Sequence, residues 1–77
     1  MSLLSELAVA LARDAFELSE RTGDTTLVED IATTLESSSS TLQEEFLTAI
    51  RYLRADSRAR RLLEQRRKTP VTAGPQG

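Results

Sequence analysis

Residues 40–63 read STLQEEFLTAIRYLRADSRARRLL, and the fold turns on how this stretch is phased. Up to Leu53 the apolar residues Leu42, Phe46, Ala49, Ile50 and Leu53 recur at helical spacing and form one inward stripe. Ser40 with Gln43, or Thr41 with Glu44, has the spacing of a capping box, and Glu44 and Glu45 suit the positive end of a helix dipole. The spacing predicts a helix over about 41–54. From Arg54 to Arg61 no large apolar residue occurs, and then Leu62 and Leu63 appear. On a straight helix Ala55, Ala59, Leu62 and Leu63 are centred roughly 140° from the earlier stripe. One straight helix cannot turn both sets to the same core. Either the chain bends or restarts near Asp56 and Ser57, one of which caps a fourth helix over about 57–68, or the helix continues and the leucine pair serves a second surface. The phase jump favours the break.

Upstream, Leu4, Leu7, Ala8, Leu11, Ala15 and Leu18 fall in one stripe of an amphipathic helix over about 2–21, with Glu6, Arg13, Glu17 and Glu20 opposite. Ser2 or Ser5 can cap its start, and Gly23 supplies a left-handed stop. Val9, Ala12 and Phe16 lie beside the main stripe, so this helix is expected to touch two others. A second helix over about 25–37 follows, which Asp24 or Thr25 can cap, with Leu27, Val28, Ile31, Ala32 and Leu35 on its buried side and Thr26 and Glu29 spaced as a capping box. The run Ser37 to Ser40 ends it, because short hydroxyl side chains compete for backbone hydrogen bonds. The expected architecture is an all-α bundle of three to four helices in one domain over 1–68. A tail over 69–77, with two Pro and two Gly, is expected to be disordered.

The turn RTGDTTLV, residues 21–28, resembles the helix-hairpin turns of tetratricopeptide-like repeats. The likeness covers eight residues, and the roughly 34-residue period and aromatic positions of those repeats are absent, so it assigns no family.

The chain's formal charge of −2 conceals a division: residues 1–50 hold ten acids and two Arg, whereas residues 51–68 hold eight bases and two acids. Such asymmetry points to an acidic partner or nucleic acid unless the two halves neutralise each other. Arg51, Arg54, Arg58 and Arg61 recur at helical spacing and form a guanidinium stripe about 15 Å long. Tyr52 is the one nearby aromatic, which gives no support for base stacking.

With 77 residues and neither Cys nor His, the chain lacks disulfides, thiolate nucleophiles and imidazole chemistry. The three glycines form no phosphate-binding loop. No catalytic residue, cofactor or metal ligand is expected, and the reading is non-enzymatic. Leu3 to Ala12 has the length of a signal-peptide core, but no basic segment precedes it and Glu6 interrupts it. No apolar run approaches a membrane span, so the expectation is a soluble, cytoplasmic protein with no membrane partner. The function expected is that of a small helical adaptor or regulator that binds another protein or a second copy of itself. Its candidate contact residues are Phe16, Leu47, Arg51, Arg54, Arg58, Arg61, Leu62 and Leu63. The alternative is a nucleic-acid-binding regulator that uses the basic stripe from Arg51 to Arg67.

Overall fold

A computed structural model describes residues 2–69; the expected disordered tail lies, apart from Thr69, outside the described residues. Among these residues the chain forms three helices, α1 (Leu3–Thr22), α2 (Leu27–Glu36) and α3 (Ser40–Lys68), and no strand. The order is up, down, up. α1 packs on α3 along most of its length and also touches α2, while α2 returns against the first half of α3. The contact of α1 with two partners is as its wide apolar arc requires. No described helix is long and apolar enough to cross a membrane.

Each helix end has an identifiable cause. Ser2 caps α1 by accepting from the backbone N–H of Ser5 at 3.1 Å, and Gly23, with φ of 75°, closes it by donating its N–H to the carbonyl of Ser19. Glycine suits this left-handed position because it has no Cβ to strain there. The capping box expected at Thr26 and Glu29 does not form. Of the other cap candidates, the Asp24 carboxylate accepts from the backbone N–H and the hydroxyl of Thr26, each at 3.0 Å, and these bonds hold its carboxyl below the ordinary value. At the start of α3 the cap is Ser39, one residue earlier than expected, accepting from the N–H of Leu42. Gln43 is thereby free to reach across and donate to the carbonyl of Ala32, which ties α3 to the second half of α2.

The favoured break near Asp56 and Ser57 is absent: α3 is one helix of 29 residues, about 44 Å long. Neither Gly nor Pro interrupts 40–68, and Arg, Ala, Leu, Glu and Gln dominate the doubtful stretch with strong helix propensity. Asp56 does not turn back to cap. Its carboxylate bonds to Nε of Arg60 at 2.8 Å, one turn ahead on the same helix. The fourth helix is therefore the second half of the third.

The core is small. Its buried hydrophobic residues are Ala8, Ala12, Ala15, Val28, Ala32, Phe46 and Ile50, of which Phe46 and Ile50 are the largest that are fully enclosed. Leu11, Phe16, Ile31, Leu35, Leu47, Ala49 and Leu53 close its edges. The inward stripes of α2 and α3 match the periodicity of the sequence. That of α1 does not: its buried line is Ala8, Ala12 and Ala15, rotated by roughly 70° from the stripe that the leucines define. Alanine lets two helix axes approach closely, so the alanine line faces α3 and the leucines lie to its side. Leu3, Leu7 and Leu18 are left 71%, 50% and 39% exposed.

This packing separates two substitutions that the sequence pattern ranks the other way. Ala12→Leu is expected to lower the unfolding free energy by about 1–3 kcal/mol through overpacking against α3, whereas Leu7→Ser is expected to cost less than Ala12→Leu. Urea unfolding followed by circular dichroism measures both.

Candidate functional surfaces

The inward stripe of α3 changes chemistry at mid-helix. Phe46, Ile50 and Leu53 are followed on the same side by Ser57, Arg61, Glu64 and Lys68. With nothing apolar left to cover, α1 ends, and its last cross-helix link is Glu20 Oε1 accepting from Arg61 at 3.2 Å. The remaining seven residues of α3 project about 10 Å beyond that link. Between this arm and the end of α1 lies an open groove of about 530 Å³, with Phe16 and Leu53 at its base and Asp56, Arg60, Arg61 and Glu64 along α3.

The outer side of α3 changes the opposite way. Tyr52, Ala55, Ala59 and Leu62 follow one another at spacings of three and four, with Leu63 beside them, and lie within an arc of roughly 80°. Tyr52 is 72% exposed, and Leu62 and Leu63 are 51% and 48% exposed. At the body end of this stripe, Ala8, Val9, Thr48, Ala49 and Tyr52 border a shallow cleft of about 120 Å³ between α1 and α3, which Ser5 and Glu45 also line. The first half of α3 thus serves the body, and the second half turns its apolar atoms outward.

The candidate contact residues are divided among these places. Leu62 and Leu63 sit on the outer stripe and Phe16 at the base of the inner groove, while Leu47 is half-buried against the core. Because the helix is unbroken, Arg51, Arg54, Arg58 and Arg61 do form one continuous stripe, exposed along one flank of α3. Arg54, Arg58 and Arg61 border a cleft of about 220 Å³ with Phe16 and Glu20. Neutralisation by the acidic body is slight. Of the four stripe arginines Arg61 alone has an ion-pair partner among the described residues, and the other arm pairs, Arg60 with Asp56 and Arg67 with Glu64, stay within α3. The sequence reading missed Leu3, Leu7 and Leu18 as surface residues. The signal that could have found them was the parallel run of Ala8, Ala12 and Ala15, a line suited to close helix contact.

Comparison of the chain with protein families, curated proteins and solved structures finds no match.

The Glu20–Arg61 pair is too exposed, at 51% and 66% of the two side chains, to hold the arm in place by itself. Glu20→Ala is expected to shift the unfolding free energy by less than about 1 kcal/mol and to leave helix content unchanged. Chemical denaturation at low and high salt checks this.

Proposed function

We propose that the chain is a small, non-enzymatic, cytoplasmic helical adaptor that acts by docking protein surfaces. The observation that carries this reading is the pairing of a scant core with large apolar side chains left in water on two faces: Leu3, Leu7 and Leu18 on α1, and Tyr52, Leu62 and Leu63 on α3. Scattered exposed leucines are ordinary, but side chains repeated along one line of a helix give a partner helix or groove a continuous strip to cover. Covering such strips adds stability that a core of this size cannot supply, since whatever binds the folded state alone stabilises it. The basic arm and the acidic body give that docking a polarity and a preferred approach. Arg54, Arg58 and Arg61 supply the charged rim of the clefts beside the arm, with Phe16 at their base and Leu62 and Leu63 as the outer apolar contacts.

Leu7→Asp combined with Leu18→Asp is expected to abolish capture of a partner by the tagged full-length chain from its native cell extract while the circular dichroism spectrum and unfolding midpoint stay near those of the wild type. A folded double variant that retains the same captured proteins as the wild type removes the α1 face from the reading.

A second reading, a nucleic-acid-binding regulator, is favoured by the continuity of the arginine stripe. It requires binding that weakens steeply between about 50 and 200 mM salt and is lost in Arg54→Ala with Arg58→Ala. Gel-shift assays with DNA and RNA at low salt test it, and the absence of any shift removes it. The ten acids of residues 1–50 weigh against this reading, because the acidic body opposes the approach of a polyanion to the molecule as a whole.

A further inference from the structure

We infer that the outer stripe of α3 is covered by a second copy of the chain, with the two third helices antiparallel and each arm laid on the body of the other. The inference rests on the reading of unpartnered apolar strips as docking faces, and goes further by assigning the occupant of one of them.

Three observations select this arrangement. The first is the stripe itself, in which Thr48, Tyr52, Ala55, Ala59, Leu62 and Arg66 alternate spacings of four and three, the seam pattern by which two helices mesh side chains. The second is charge. The arm from Arg54 to Lys68 carries seven bases and two acids, so arms laid parallel would repel. Antiparallel, each arm leaves the other arm and reaches the half of α3 that begins with Glu44 and Glu45, neither of which has an ion-pair partner among the described residues. The third is shape. The alanines at 55 and 59 allow close approach at the middle, and the cleft beside Val9 and Thr48 offers an apolar recess about 22 Å along α3 from Leu63.

These features agree on one register. With the two-fold axis passing between Ala55 and Asp56, Tyr52 lies opposite the partner's Ala59 and Thr48 opposite the partner's Leu63. Glu45 then lies opposite the partner's Arg66. Every apolar member of the stripe gains a neighbour, and the acidic start of each α3 meets the basic end of the other, which also sets the two helix dipoles in opposition. Two contacts are unfavourable: Arg51 approaches the partner's Arg58 on one flank, and the two copies of Asp56 flank the axis on the other, each paired with its own Arg60. All remain at the rim, where water and salt screen the repulsion.

The contact is isologous, so one substitution acts twice, and the chain has no Cys, so an introduced thiol is unique. Full-length chain is expected to sediment as a dimer at micromolar concentration. Ala55→Cys is expected to oxidise to a disulfide-linked dimer of unchanged helix content, whereas Thr33→Cys, exposed on α2, is not. Glu45→Arg and Arg66→Glu should each weaken association at least tenfold, and an equimolar mixture of the two should restore it, because the mixed dimer regains both pairs. A monomeric wild type overturns self-pairing, as does Ala55→Cys that cross-links no better than Thr33→Cys; a mixture as weak as its components overturns the register. Loss of partner capture in the Leu7 and Leu18 double variant of a monomeric chain leaves the adaptor reading standing without the dimer. A dimer whose α1 leucines are inert leaves the dimer without that reading.

Discussion

The close approach of α1 to α3 through Ala8, Ala12 and Ala15 is the contact on which the rest of the molecule depends. Because these side chains end at Cβ, the two helices can lie near enough for Phe46 and Ile50 to be fully enclosed. The same closeness decides what is left outside. A helix can turn one line of residues to its neighbour, and once the alanines occupy that line the leucines of α1 must lie to its side. Leu4 and Leu11 are half-covered there, while Leu3, Leu7 and Leu18 keep a substantial part of their surface in water. A modest core and an apolar flank are thus two results of one packing choice.

The second constraint is the straightness of α3. An unbroken helix keeps fixed angular relations along its length, so the exchange of stripe at Leu53, apolar inside before it and apolar outside after it, becomes a division of labour between body and arm. A bend at Asp56 would have returned Leu62 and Leu63 to the bundle. The Asp56–Arg60 bond, lying along the helix, and the absence of Gly or Pro keep the arm extended instead. The arm also carries most of the positive charge away from the acidic body, so the separation of charge along the sequence becomes a separation in space, bridged at one point by Arg61 and Glu20.

Helix type and order were legible in the residues, since periodicity is a local property and each helix carries its own. So were the left-handed stop at Gly23 and the buried sides of α2 and α3. Helix number was not, because the favoured break near Asp56 is absent. The caps were less legible: in the run Ser37 to Ser40 several hydroxyls have the right chemistry, and the chain geometry between α2 and α3 selects Ser39. Among the candidate contact residues, Leu62 and Leu63 stood out by phase and the arginine stripe by spacing. Leu47, also a candidate contact residue, proves to be half-buried, packed against the core.

What the sequence by itself determined is therefore an all-helical chain with an acidic first part, a basic end and an apolar stripe that changes side. Only the tertiary structure decided which flank of α1 is buried and whether the leucine pair meets the core. The reason is that both depend on nonlocal quantities. Alanine and leucine are equally apolar on a wheel, and the distance between two helix axes chooses between them. The phase jump at Arg54 is equally consistent with a bend or an overhang, and the choice depends on whether the body has an apolar surface at that height to receive Leu62 and Leu63. At that height α3 turns Ser57 and Arg61 inward and α1 ends, so the helix runs on and carries its leucines into water.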